Sequence, residues 1–281
     1  MALVHLHVYS RTLGMQVSID VILPEATQGI GVAGNQGWDG QRKLPVLYLL
    51  HGMSDDHTIW QRRTSVERYA ADKTVAIVMP TTHLASYTNQ AYGLRYYDYI
   101  AHELPEICKS YFPISEKREE TFIAGLSMGG YGALKIGLRE RQRFGAVAAY
   151  SSGLLRSERL PAEAQDYPHI HALEQAKESL DPGVFRQLLS FYTTFGSPSS
   201  YDASEENHPT LFTQAAAASG EPLPKLWLAC GTEDFLYEAN EQYHQLLTDL
   251  EIPHEYHTEA GGHEWRLWDK WIGETLEWLP L

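Results

Sequence analysis

The chain has 281 residues, of which 43% are hydrophobic and 21% charged, enough apolar material for a large buried core and too little charge for a disordered chain. A formal net charge of −14, with no Lys/Arg-rich run to offset it, repels phosphate backbones and anionic headgroups, which excludes nucleic acid and membrane surfaces as partners. Two cysteines, Cys108 and Cys230, are too few for a disulfide framework and are expected as free, mostly buried thiols.

The first residues, MALVHLHVYS, lack the basic segment, apolar run and small-residue cleavage site of a leader, and no stretch approaches the length of a membrane span, so a cytoplasmic location is expected. Leu3 to Tyr9 and Gln16 to Leu23 alternate apolar and polar residues, the period of half-buried antiparallel strands at a sheet edge. Residues 24–44 carry Gly29, Gly31, Gly34, Gly37 and Gly40 without apolar periodicity, which reads as a surface loop rather than a nucleotide cradle.

From Pro45 the pattern changes to short apolar runs separated by amphipathic stretches: PVLYLL, a helix over 59–72, TVAIVMP, a helix over 96–111, TFIAGL, a helix over 128–140, and AVAAYSS. Runs of this kind suit strands buried on both faces, and their alternation with helices predicts a mostly parallel sheet. The rhythm breaks over 154–224 and returns with KLWLAC, a helix over 238–250, a strand over 254–259 and a helix over 265–277. Residues 1–281 are therefore expected to form one domain, with 154–224 as a cap-like insertion over the C-terminal strand ends, where open α/β sheets bind ligands.

Gly125-Leu126-Ser127-Met128-Gly129 fits G-x-S-x-G, with an apolar strand before it and a helix-compatible segment after it. This is the context of a nucleophile elbow, in which the serine sits on a strained strand-to-helix turn. The helix start would aim the Met128 N–H at a developing oxyanion, and the loop His51-Gly52-Met53 after PVLYLL offers the Met53 N–H as second donor, with His51 as a structural turn residue. A serine hydroxyl needs an imidazole to accept its proton, and of thirteen histidines His263, after Gly261-Gly262 and the final strand, is the choice; His254 and His257 belong to the strand itself. Glu233, Asp234 and Glu238 compete for the acid, and Asp234 is preferred because Phe235 and Leu236 follow it. The chain order Ser127, Asp234, His263 is that of α/β-hydrolases.

Asp55-Asp56-His57 reads as a solvated face rather than a metal site, and His263-Glu264 lacks the second histidine of a zinc motif. Trp60, Tyr87, Tyr92, Tyr96, Tyr97 and Tyr99 concentrate aromatic surface near the ligand edge. Trp60, Tyr92 and Trp265 are the candidate substrate-binding residues, and Trp268 is a further bulky side chain near them.

The segments LLHGM, W-x-x-R-T-x-x-E-R, YGLRYYDY, FIAGLSMGGYGALK, CGTEDFLYEAN and GGHEWRLW resemble the bacterial tributyrin esterases of the esterase D group, which includes S-formylglutathione hydrolases, feruloyl and acetyl-xylan esterases and mycolyltransferases. The resemblance covers nearly the whole chain. It implies an α/β-hydrolase fold and hydrolysis of short acyl esters, small-molecule substrates, without a cofactor or metal. It carries the triad onto Ser127, Asp234 and His263 and the oxyanion donors onto Met53 and Met128. A thioesterase and an acetyl or feruloyl esterase are the enzymatic alternatives it leaves open, and a homo-oligomer is compatible with the sequence.

Overall fold

The computed structural model describes residues 1–25, 41–153 and 167–281. The glycines expected to form a loop at 29–40 lie outside them, as does the start of the expected insertion at 154–166. The described strands are β1 (Ala2–Ser10), β2 (Met15–Leu23), β3 (Val46–Leu50), β4 (Ala76–Pro80), β5 (Thr121–Leu126), β6 (Ala146–Tyr150), β7 (Lys225–Gly231) and β8 (His254–Glu259). They form an eight-stranded sheet in the order β1-β2-β4-β3-β5-β6-β7-β8. β1 pairs antiparallel with β2, and β2 antiparallel with β4; every later pairing is parallel. The alternating edge pair and the parallel body both stand where the hydrophobic pattern puts them.

Because successive side chains of a strand point to opposite faces, the five fully buried residues of β3 divide between two cores. Val46, Tyr48 and Leu50 join one cluster, Leu47 and Leu49 the other. The second cluster is covered by α1 (Ile59–Arg63), α2 (Val66–Ala70) and a C-terminal helix, Trp265–Trp278. The first is covered by α3 (Tyr96–Asp98), α4 (Leu104–Tyr111), α5 (Met128–Arg139) and the helices after residue 167. Those are α6 (Ile170–Gln175), α7 (Pro182–Phe195), α8 (Pro198–Asp202), α9 (Pro209–Ala218) and α10 (Tyr237–Asp249), which leaves Trp265–Trp278 as α11.

The helix expected over 59–72 is two helices. Thr64 Oγ1 donates to Trp60 O at 2.5 Å and accepts from Val66 N–H at 3.2 Å, while Asp269 of α11 takes the Ser65 N–H at 2.7 Å. Side-chain competition for backbone groups ends one helix and starts the next. Between α3 and α4, Tyr99–Glu103 forms a wide π turn just ahead of Pro105, which has no N–H to continue an α-helix.

α7 and α9 dock on α5 rather than standing apart from it. Tyr131 packs against Phe195 and Phe212 at ring distances of 6.5 and 6.4 Å, and its hydroxyl donates to Asn207 O at 2.8 Å. α7 also accepts the Ala91 and Tyr92 N–H groups at 3.0 Å each, which ties the loop after β4 to the same helices.

Candidate active site

β5 ends at Leu126 and α5 begins at Met128, so Ser127 carries the whole turn between them with φ 52° and ψ −117°. A non-glycine residue in that region is strained and persists only where its surroundings hold it. Here Ser127 N–H donates to Tyr150 O at 2.8 Å and Ser127 O accepts from Gly153 N–H at 2.9 Å. The turn also needs α5 pressed against the sheet: a Cβ on Gly129 would stand 2.5 Å from Leu50 O and 2.6 Å from His51 O, both backbone atoms that cannot yield.

His263 and Asp234 arrive on adjacent loops after β8 and β7. The loops interlock through Glu233 N–H to Gly261 O at 3.0 Å and Thr232 N–H to Glu259 O at 2.8 Å, and Gly231 and Gly261 touch where any Cβ would clash. His263 Nδ1 lies 2.8 Å from Asp234 Oδ2. A carboxylate only accepts, so Nδ1 carries the proton and Nε2 is left to accept the Ser127 hydroxyl at 3.0 Å. Asp234 is buried, and burial raises its pKa; hydrogen bonds from His263 and the Leu236 N–H outweigh that and hold it below the usual carboxylate range. Glu233 and Glu238 are exposed, and of the three competing carboxylates Asp234 is the one that meets His263. His254 faces His244 at 2.7 Å and His257 faces Glu255 at 3.2 Å, both on the edge strand.

The two N–H groups expected as donors belong to Met128 and Met53. Met128 is the first residue of α5, so its N–H has no carbonyl within the helix. His51 is buried and clamps the loop before Met53. Its Nδ1–H donates to Gly52 O at 2.7 Å, and its Nε2 accepts the Thr82 N–H at 2.9 Å. In a trans peptide the Gly52 carbonyl and the Met53 N–H point in opposite directions, so pinning one aims the other. A Cβ on Gly52 would come 3.7 Å from the Ser127 Cβ, which places this peptide beside the serine.

The candidate substrate residues fare differently. Trp60 is 0% exposed, with its indole N–H spent on Leu50 O at 3.1 Å, because α1 packs flat on the second core. It has no surface to offer a substrate. Trp265 is half-buried edge-on to Trp60 and Trp268, and Tyr92 is exposed. Tyr87, Tyr96, Tyr97 and Tyr99 are core residues. Phe235, 67% exposed with its ring 4.7 Å from that of His263, was missed; its position next to Asp234 was the available signal. Among the described residues no three His, Cys, Asp or Glu side chains are placed to hold a metal ion, and no helix is long and apolar enough to cross a membrane.

The family described as "Putative esterase" matches residues 10–279. The chain belongs to this esterase family. An acetyl esterase of Caldicellulosiruptor saccharolyticus is 30% identical over 280 residues, covering 99% of this esterase and 98% of the relative. Two Staphylococcus aureus structures are each 31% identical and cover 99% of this esterase and 98% of their own chains. They are the fluorophosphonate-binding serine hydrolase FphF, at TM-score 0.80, and the S-formylglutathione hydrolase FrmB, at 0.78. The fold is that of the α/β-hydrolases, as expected, and the esterase is a serine-type carboxylic ester hydrolase.

Proposed function

We propose that the esterase cleaves short-chain acyl esters through an acyl-enzyme on Ser127, with His263 as general base, Asp234 as its orienting acid, and the Met53 and Met128 N–H groups as oxyanion donors. The observation that carries this reading is the unbroken chain Asp234 Oδ2, His263 Nδ1 and Nε2, Ser127 Oγ, at 2.8 and 3.0 Å. Ser127 Oγ attacks the ester carbonyl while Nε2 takes its proton; the tetrahedral oxyanion is met by the two N–H groups, and the imidazolium by Asp234. Nε2 then returns the proton to the leaving alcohol, and water repeats the sequence on the acyl-enzyme. Short acyl groups fit the 30% identity to an acetyl esterase. The reading takes the chain as one domain with 154–224 as a cap-like insertion, which the docking of α7 and α9 on α5 supports.

Ser127→Ala is expected to lower kcat by about 10⁴ to 10⁶. Asp234→Asn should cost several orders of magnitude where Glu233→Gln and Glu238→Gln cost little. Activity of Ser127→Ala within about tenfold of the parent would sink the assignment. A thioester leaving group is the second reading, favoured by the 31% identity to FrmB. Paired kcat/KM values on matched esters and thioesters, glutathione thioesters included, decide between them.

A further inference from the structure

The turn after β7 holds its side chains in fixed directions. The Asp234 N–H donates to Gly231 O at 3.1 Å, the Tyr237 N–H to Asp234 O at 2.9 Å, and the Leu236 N–H to Asp234 Oδ1 at 2.8 Å. Asp234 and Leu236 are buried, and Phe235 between them is 67% exposed. A single exposed apolar side chain means little by itself, so its position has to carry the argument. The Phe235 ring lies 4.7 Å from that of His263, tilted by 48°. Trp268, which is buried, meets the same imidazole edge-on at 4.8 Å. His263 is therefore backed by a core ring and fronted by an exposed one.

The chemistry decides what comes to that front. In the tetrahedral intermediate the carbonyl carbon carries Ser127 Oγ, the oxyanion turned to the Met53 and Met128 N–H groups, the leaving oxygen and the acyl carbon. His263 Nε2, 3.0 Å from Ser127 Oγ, hands its proton to the leaving oxygen, so that oxygen must come within hydrogen-bonding reach of Nε2. The rest of the alcohol then emerges beside the imidazole, against Phe235. Other exposed apolar side chains of the ligand edge stand on the opposite side of the nucleophile. Leu84, Tyr92 and Leu94 follow β4, two strands from β5 in one direction, and Phe235 follows β7, two strands from β5 in the other.

We propose that Phe235 is a specificity-determining residue for the alcohol half of the ester: its ring covers the first carbons of the leaving group, and the enzyme selects esters of aromatic and other apolar alcohols. The proposal rests on the triad reading above and adds to it the class of leaving group.

Methyl acetate, benzyl acetate, methyl butyrate and benzyl butyrate vary the two halves of the ester independently, with alcohols of similar basicity. For one acyl group the acyl-enzyme is the same whichever alcohol has left, so kcat/KM compares acylation alone. The parent should favour benzyl over methyl esters by about tenfold or more at both acyl lengths. Phe235→Ala should reduce that ratio to about twofold or less, Phe235→Leu should keep part of it and Phe235→Trp most of it. The butyryl-to-acetyl ratio should stay within about twofold of the parent's throughout. Each ratio is taken within one enzyme preparation, so any misfolded fraction of a variant cancels. A parent without benzyl preference, a benzyl-to-methyl ratio unchanged by Phe235→Ala, or a butyryl-to-acetyl ratio that moves in its place overturns the proposal and leaves the triad standing. Asp234→Asn with kcat within about tenfold of the parent overturns the triad reading and the proposal with it.

Discussion

A buried histidine with both ring nitrogens committed responds to acid in one direction only. His51 donates through Nδ1 and accepts through Nε2, so protonation would set an N–H against the Thr82 N–H. Burial pushes its pKa from 6.5 down to about 4. The unfolded chain therefore binds the proton first: the stability His51 contributes is whole above pH 6.5, is lost as pH falls toward 4, and falls no further below that. The loss amounts to about 3 kcal/mol across the window. Chemical denaturation of parent and His51→Gln between pH 7 and 4 should show a steeper decline in the parent, and parallel curves would contradict this account. The same substitution frees the Gly52 carbonyl, so kcat should fall by about tenfold or more if the Met53 N–H is an oxyanion donor.

Among the elements, α5 joins chemistry to architecture. Its first residue follows the nucleophile, and two turns later Lys135 is 0% exposed, donating to Thr88 Oγ1 at 2.9 Å and to Asn207 Oδ1 at 2.6 Å. The ring of Tyr97 lies 5.1 Å from its ammonium and that of Tyr131 5.8 Å, with Glu206 and Arg139 as the charged neighbours. Burial lowers its pKa from 10.5 to about 7, Glu206 opposing and Arg139 assisting. For a base depressed in the folded state, the unfolded chain holds more protons between those two values, so Lys135 opposes folding most at and below pH 7 and is relieved as pH rises toward 10.5. Lys135→Met should flatten the rise in unfolding free energy between pH 7 and 9.5, a rise of roughly 3 kcal/mol from this group. An identical slope in the variant would rule the assignment out. The contact with Asn207 also means that this helix anchors the segment between α8 and α9.

For the molecule as a whole, packed indole rings back the proposed site on the α11 side. Trp268, Trp265 and Trp60 follow one another behind His263 in edge-to-face contacts of 4.8, 5.1 and 5.5 Å, which fills the space an acyl tail would need there. The exposed side chains Met53 and Phe235 flank the proposed catalytic groups instead. Each methylene a channel can bury contributes up to about 0.8 kcal/mol, so an open groove would raise kcat/KM steadily with chain length. On p-nitrophenyl esters kcat/KM is expected to peak at about four carbons or fewer and to drop by roughly tenfold or more at eight. A maximum at eight carbons or beyond would transfer the lead to a lipase-like reading.

The strands, their mixed pairing and the chain order Ser127, Asp234, His263 were legible in the residues, because burial imposes a period on a strand and an elbow demands small residues around its serine. That Asp234, rather than Glu233 or Glu238, meets His263 was legible too, from its apolar neighbours. Periodicity says that Trp60 faces inward without saying whether inward means a pocket or a core, and only the packing of α1 against Trp265 and Tyr150 decided for the core. The contacts of Trp268 and Asn240 are likewise tertiary: Trp268 meets Ser151 across 117 positions and Asn240 meets Ser152 across 88, and the backbone φ of 45° at Ser151 leaves no mark in a one-dimensional pattern.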